Sequence, residues 1–198
     1  MESVIIQKAC GPDYAQVASL HERCITEGFL SELGAPFLNI LYSSMGNSAG
    51  VFCITANCDG RVVGFISGAA DIKNFHKEFF RKNLFKAGIA VFPKLFRKGF
   101  IKKIIDDLFY PSKNVHEPAI AELMSIAVDA EYRGKGISEK LFLAFKDELR
   151  SHGIKRFKVI CGAGLSAACR FYEKSGGISY AETEIHKGEK SRVYLFDV

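Results

Sequence analysis

The chain has 198 residues, of which 48% are hydrophobic and 25% charged. This length and composition predict one folded domain and exclude a mainly disordered chain. The formal net charge of +5 fits a phosphorylated ligand, an acidic substrate or a charged surface, and it selects none of them. No apolar run reaches the roughly 20 residues of a membrane-spanning helix. The first residues do not resemble a secretory signal, so we expect a cytoplasmic protein.

The first third of the chain predicts a strand over 4–9, two helices and a β-hairpin. The helices are predicted to begin at Asp13 and near Pro36, because aspartate suits an N-cap and proline a first turn. The loop predicted between them, 28–34, is apolar enough to line a pocket, and Phe29 and Leu30 are its candidate substrate-binding residues. An Asp-Gly pair between the apolar runs 51–56 and 61–66 indicates the hairpin.

Residues 71–113 differ in pattern from the rest of the chain. Large apolar residues recur there at about four-residue spacing, with lysines and arginines between them. This predicts two amphipathic helices broken near Pro93. Such a basic insertion suits a lid, recognition of an acidic acceptor, or peripheral contact with anionic lipid. We expect no nucleic-acid partner, because phenylalanines at helical spacing suit buried faces better than base-stacking platforms.

The second half predicts a strand over 119–128, a loop, a helix, a strand over 157–161, a helix over 166–175 and strands near 178–186 and 192–198. Mixed strands and helices of this kind indicate an α/β layered fold. The six cysteines are irregularly spaced and contain no C-x-x-C pair, so we predict no metal site. We interpret them as thiols in a reducing compartment.

The most informative segment is 123–138, where a strand leads through a glycine-containing loop into a helix. Unpaired N–H groups and the positive end of the helix dipole converge there, and Arg133 and Lys135 add charge. We therefore predict a phosphate or pyrophosphate site. Asp129 stands where a Walker loop needs glycine, and Glu139 where a dinucleotide fingerprint needs its third glycine, so both motifs are excluded.

The loop 133–138 resembles the R-x-x-G-x-[G/A] loop of the GCN5-related N-acetyltransferases, with Ser138 as its last small residue. The segment 168–176 resembles the second signature of that family, A-x-x-F-Y-x-x-x-G. Together the resemblance covers roughly residues 119–177. Leu165 and Gly177 depart from the residues that are usual in the family.

The resemblance implies one domain over 1–198. Its fold is a mixed, mostly antiparallel sheet of about six to seven strands, splayed in the middle and flanked by helices, with 71–113 as a helical insertion before the central strand. It also implies acetyl-coenzyme A (acetyl-CoA) as co-substrate, held by the loop and by the backbone of the preceding strand. The implied cofactor-binding residues are Ile126, Ala127, Val128, Arg133, Gly134, Lys135, Gly136, Ile137, Ser138 and Phe171.

For catalysis, the resemblance implies that a primary amine attacks the thioester directly. Tyr172 matches the tyrosine that protonates the coenzyme A thiolate, and a backbone N–H near Ile126 holds the carbonyl. Glu122 is the candidate base, because an acidic residue in an apolar strand faces a cleft or a partner. A salt-bridged carboxylate fits the same pattern, and His116 is a further candidate for the proton transfer.

The sequence leaves the acceptor open. We expect a small amine such as an amino sugar, including a nucleotide-linked one, and a protein N-terminus or lysine is the alternative. A function of another class is a non-catalytic module that keeps coenzyme A and contacts a membrane or a partner through 71–113. A monomer and a homodimer both fit the sequence.

Overall fold

The computed structural model of the chain describes residues 3–26, 28–95, 119–186 and 189–198. Within these residues, strands and helices are interspersed along the chain, as the sequence predicted for a mixed α/β fold. In chain order the elements are β1 (Val4–Lys8), α1 (Asp13–Cys24), α2 (Phe29–Leu33), α3 (Ala35–Met45), β2 (Val51–Cys58), β3 (Arg61–Ala69), α4 (Ile72–Leu95), β4 (Ala121–Val128), a 3₁₀ turn (Ala130–Tyr132), α5 (Ile137–Ser151), β5 (Arg156–Gly162), α6 (Ser166–Lys174), β6 (Ile178–His186) and β7 (Glu189–Asp197).

The described strands form one seven-stranded sheet in the order β1-β2-β3-β4-β5-β7-β6. Neighbouring strands are antiparallel except β4 and β5, which are parallel. This confirms the predicted mixed, mostly antiparallel sheet. The β4–β5 pairing covers only three residues of each strand, with Ala121 opposite Phe157 and Leu123 opposite Val159. Beyond Leu123 the two strands separate, and the sheet is splayed at its centre.

A β-bulge in β4 coincides with the start of this separation. Gly68 of β3 pairs with Leu123, whereas Ser67 pairs with Ser125, so Met124 has no partner on β3. A Cβ atom at Gly68 would lie 2.4 Å from the Glu122 carbonyl oxygen and 2.6 Å from the Phe145 ring. The absence of a side chain at Gly68 therefore allows the β4 backbone and the Phe145 ring to lie close to it, at the start of the bulge.

Two hydrophobic clusters hold the helices against opposite faces of the sheet. On one face, α5 and α6 pack through aromatic rings, and the rings of Phe157 and Phe196 stack 5.0 Å apart. On the other face, α1, α3 and α4 pack around Phe65, which lies 5.5 Å edge-on to Tyr42. The buried face of α5 is formed by Leu141, Phe142, Phe145 and Leu149 together with Ile137.

The structure corrects one local prediction. Residues 29–33 form the short helix α2 rather than a loop, because Leu33 is buried and Leu30 packs against the cluster between α1 and α3. The helix α4 runs through Pro93 to Leu95, where the described segment ends, so the predicted break near Pro93 stays a prediction. Pro93 has no N–H to donate to the Ile89 carbonyl, and it lies in the last described turn. The second predicted helix and His116 lie outside the described residues.

The helix α4 has a buried side and an apolar exposed side. Phe75 and Phe79 are buried, whereas Phe85 is 82% exposed, and Leu84, Ile89 and Phe92 are exposed with it. None of the described helices is both long and apolar enough to cross a membrane. Peripheral lipid contact through 71–113 stays a prediction.

Candidate active site

A cleft of about 230 Å³ lies where β4 and β5 diverge. It is lined from both faces of the sheet, since α1 contributes one wall and α5 and α6 the other. The lining residues are Cys24, Ile126, Ala127, Val128, Arg133, Ser138, Ala168, Phe171 and Tyr172. Seven of these nine were predicted from sequence. Cys24 and Ala168 were not, although Ala168 opens the second signature.

The loop between β4 and α5 forms the mouth of this cleft. Gly134 and Gly136 have positive φ values of 74° and 73°, which glycine adopts without strain. Gly136 is the N-cap of α5, and no described side chain caps this helix end. Its first N–H groups therefore lack intrahelical acceptors and point toward the loop. A Cβ atom at either glycine would meet nothing within 4 Å, so this side of the loop is open to a ligand.

Basic side chains lie on the same loop. Arg133 lines the cleft, and its Nε donates a hydrogen bond to the Val128 carbonyl over 3.0 Å. The Lys135 ammonium lies 4.6 Å above the Tyr132 ring. Ile137 was predicted to bind the cofactor, and its side chain lies in the core instead of lining the cleft. The open helix end with two nearby cations fits a pyrophosphate.

Asp129 anchors the start of this loop to β3. Its backbone N–H donates to the Val63 carbonyl over 2.8 Å, and its carboxylate accepts from the Arg61 guanidinium over 2.7 Å. The Glu131 N–H also donates to the carboxylate. This role of Asp129 was not predicted from sequence, because its arginine partner is 68 residues away.

Tyr172 lies in the wall of the cleft formed by α6. The side chain is buried, and its ring contacts those of Phe171 and Tyr194. Burial raises the pKa of the Tyr172 hydroxyl, and the nearby Cys161 and Cys169 thiols raise the pKa further. The phenol therefore stays protonated at neutral pH and is chemically able to donate a proton into the cleft.

Glu122 lies where β4 and β5 are still paired, outside the set of cleft-lining residues. It is directly opposite Lys158, and its Oε2 is 3.5 Å from the lysine Nζ. Both side chains are largely buried, with exposed fractions of 18% for Glu122 and 7% for Lys158. The carboxylate is thus salt-bridged, as one of the two sequence interpretations required. Its role as a base stays a prediction.

The candidate acceptor residues lie on α2, beside the α1 wall. Leu30 is half-buried against the α1–α3 cluster and is not among the described residues that line the cleft. The side chain of Phe29 lies outside the description. Cys24, the last residue of α1, lines the cleft instead. Within the described ranges, no group of three or more His, Cys, Asp or Glu side chains is arranged to hold a metal ion.

Comparison with known proteins agrees with this architecture. The model of the acetyltransferase (GNAT) family matches residues 14–177. The chain therefore belongs to the GNAT family, and it is an N-acetyltransferase that depends on acetyl-CoA. Comparison with curated protein sequences gives no significant match.

Solved structures show the same fold at low sequence identity. The ribosomal-protein-S18-alanine N-acetyltransferase of Escherichia coli is 14% identical, with a TM-score of 0.61 over 99% of this chain and 94% of that one. The PaiA N-acetyltransferase of Thermoplasma acidophilum, solved with coenzyme A, is 14% identical, with a TM-score of 0.62 over 99% of both chains. An acetyltransferase-like protein of Salmonella typhimurium, solved with acetyl-CoA, is 14% identical, with a TM-score of 0.62 over 98% of this chain and 94% of that one.

The salt bridge leads to a prediction about stability. Glu122→Gln removes the negative charge that faces the buried Lys158 ammonium, so we expect a loss of about 1–3 kcal/mol in urea unfolding. Asp197→Asn is the control, because it breaks the exposed pair between Arg156 and Asp197. That variant should change stability by less than about 0.5 kcal/mol. Unchanged stability of Glu122→Gln with a large loss of turnover would contradict a structural role and support a base.

Proposed function

We propose that the cleft between β4 and β5 binds acetyl-CoA and that the chain acetylates the primary amine of a small acceptor. The observation that carries this proposal is the cleft itself, with the uncapped end of α5 at its mouth and Tyr172 in its wall. Acetyl-CoA supplies the acetyl group as a reactive thioester. The residues of the chain bind it, orient it and exchange the protons.

The backbone of β4 is suited to hold the donor. Its pairing with β5 ends at Leu123, so the later β4 residues lack β5 partners on that edge, although Ile126, Ala127 and Val128 line the cleft. Backbone groups near a buried cleft require hydrogen-bond partners. The pantetheine arm would supply them, and an N–H near Ile126 would polarise the carbonyl. Gly134, Lys135, Gly136 and the first turn of α5 would hold the pyrophosphate.

Tyr172 is the proposed acid that protonates the leaving thiolate. Its raised pKa keeps the hydroxyl protonated over the pH range in which an amine attacks, so the group is a hydrogen-bond donor there and not a base. For Glu122, the salt bridge to Lys158 favours a structural role over that of a base. Proton removal from the amine then requires another group or water.

A small acceptor fits the shape of the site. The segment that precedes α3 is folded as α2 and packs through Leu30 and Leu33 rather than leaving an open groove. Amino sugars, including nucleotide-linked ones, are the first acceptors to examine. We also propose a cytoplasmic location. The six cysteines are free thiols, as is usual in a reducing compartment, and this supports the proposal.

The donor site predicts a specific thermal stabilisation. Acetyl-CoA at 100 times its Kd should add about 2.7 kcal/mol of stability, which is visible as a raised Tm. Ser138→Asp places a negative charge at the cleft and the α5 N-terminus, so it should abolish the shift. Ser151→Asp, at the other end of the same helix, should retain it. Equal shifts in the two variants would contradict the proposed pyrophosphate site.

The acid role of Tyr172 predicts a selective kinetic defect. Tyr172→Phe should lower kcat about 10²-fold or more while the acetyl-CoA Tm shift is retained, because only the proton donor is removed. Tyr194→Phe is a control, since that hydroxyl donates to Glu173 rather than into the cleft. Turnover by Tyr172→Phe at the wild-type rate would show that the thiolate takes its proton elsewhere.

The acceptor class is tested by release of free coenzyme A. Glucosamine, a UDP-linked amino sugar, an alanine-starting peptide and an N-terminally blocked lysine peptide would each be offered at equal concentration. We expect the amino compounds without a peptide chain to give the higher kcat/KM, because α2 is packed through Leu30 and Leu33 and is joined by Ser31 to Ile25 at the end of α1. Preference for either peptide would contradict the small-acceptor proposal and support a protein acetyltransferase.

A further inference from the structure

The helix α4 presents a cluster of large apolar side chains away from the core. Leu84, Phe85 and Ile89 have exposed fractions of 67%, 82% and 59%. Phe85 and Ile89 are four residues apart, so they lie on one face of the helix, and Leu84 borders them. We call these three residues the outer face of α4. Exposed apolar side chains that cluster in this way mark an interaction surface.

The opposite side of α4 packs on the core. Phe75 and Phe79 are buried there, and the Phe79 ring lies 5.7 Å edge-on from the ring of Phe37 on α3. Ala87 and Val91 continue this buried side toward the end of the helix. These contacts account for the packing of α4 on the sheet. The outer face is directed elsewhere, so its apolar character needs a separate explanation.

Exposed cations border the outer face. Arg81 and Lys82 lie four and three residues before Phe85, and Lys86 lies three residues before Ile89. Side chains at these separations are neighbours on the surface of a helix. The exposed fractions of the Arg81 and Lys82 side chains are 65% and 52%, and Lys86 is exposed as well.

One acidic residue lies among these cations. Glu78 is the single acid in the described helix α4, and its carboxylate lies 2.9 Å from both Arg81 and Lys82. Hydrogen bonds from these two side chains lower the pKa of Glu78 to about 2, so the carboxylate is ionised at neutral pH. It balances one of the two charges, and the exposed Lys77 and Lys86 add two more. The exposed side of α4 is therefore net positive.

An apolar face bordered by cations complements an anionic lipid surface. Phenylalanine, leucine and isoleucine enter the boundary between headgroups and acyl chains, while lysine and arginine meet the negative headgroups. A second copy of this chain is a poorer partner, because two outer faces in contact would bring like charges together. A folded protein partner would need a complementary surface of roughly 800 Å². A bilayer takes up a protruding helix without one.

We propose that the outer face of α4 docks this protein peripherally on membranes that contain anionic lipids. Phe85 and Ile89 enter the boundary region of the bilayer, and Arg81, Lys82 and Lys86 contact headgroup phosphates. The buried side of α4 stays on the core during docking. The inference concerns where the protein binds and not acetyl transfer, so its tests need no acceptor and no turnover.

Vesicle flotation of the full chain tests the apolar part of the contact. The wild type should float with vesicles of equal parts phosphatidylglycerol and phosphatidylcholine, and not with phosphatidylcholine alone. Phe85→Ser combined with Ile89→Ser should weaken binding about 10-fold or more, because binding scales with buried apolar area. Leu143→Ser is the matched control, since that leucine is 61% exposed on α5. No flotation, equal flotation with both vesicles, or unchanged binding of the double variant would overturn the proposal.

Paired charge variants test the basic border. Lys82→Gln combined with Lys86→Gln should weaken binding to the anionic vesicles about 25-fold at low salt, at about fivefold for each cation. Lys155→Gln combined with Lys174→Gln removes two exposed lysines outside α4 and should change binding less than twofold. Equal weakening by the two pairs would mean that net charge alone drives binding, and the proposal would be wrong.

A fluorescent reporter tests whether the outer face itself meets the lipid. The chain contains no tryptophan, so Phe85→Trp supplies a single one. Its emission should shift to shorter wavelength when the anionic vesicles are added, whereas that of Leu143→Trp should not. No shift in Phe85→Trp, or an emission that is already short in wavelength without vesicles, would overturn the proposal. The second result would show that protein covers this face.

Stability and mass distinguish the other occupants of the face. The double variant Phe85→Ser with Ile89→Ser should keep the wild-type Tm, because both side chains are exposed. A lower Tm would show that the face packs within the chain. A wild-type dimer that the same variant dissociates would show that it packs against a second copy. Either result would overturn docking on lipid.

Discussion

The short pairing of β4 with β5 is the constraint on which the site depends. Three residues of each strand pair, and the strands then diverge while β5 remains paired with β7 along its length. Separation of two central strands leaves peptide groups without partners inside the protein, which is costly unless a ligand or water supplies them. The peptide groups in the middle of this sheet therefore find hydrogen-bond partners when a ligand or water binds there, and they would lack partners in a closed core.

Several features fix the point at which the strands separate. The Glu122–Lys158 salt bridge crosses the last paired region, and the Met124 bulge follows at once. The backbone of Glu122 also contacts Gly68, where no side chain fits. A salt bridge, a β-bulge and a close backbone contact thus lie within a few residues of one another. They determine which β4 residues face the cleft, because a shift of one residue would reverse the two faces of the strand.

The local part of the site was predictable from sequence, and the long-range part was not. The strand–loop–helix order over 123–138 determines where N–H groups point, since Gly134 and Gly136 and the start of α5 are adjacent in the chain. The hairpin at Asp59 and Gly60 is equally local, and β2 and β3 pair around it. Short-range geometry of this kind follows from residue types alone.

Contacts between distant segments carry no such signal. No pattern near Glu122 in the sequence identifies Lys158 as its partner. No local pattern predicts that β4 and β5 pair over only three residues. The loop predicted over 28–34 became α2 because Leu30 and Leu33 had a cluster to pack against. Cys24 lines the cleft only because α1 ends beside β4. These are tertiary effects that override local propensity.

The two faces of the sheet carry different polar groups. Tyr172 and the end of α5 lie on one side, where protonated and partly positive groups suit the proposed thiolate and pyrophosphate. His21 and Tyr42 lie on the other, where a 2.6 Å hydrogen bond joins α1 to α3. Ser67 Oγ lies buried beside the β4 bulge and has no hydrogen-bond partner among the described residues, which costs about 1–3 kcal/mol. The bulge that shapes the cleft is therefore held in place by the surrounding packing, against this local cost.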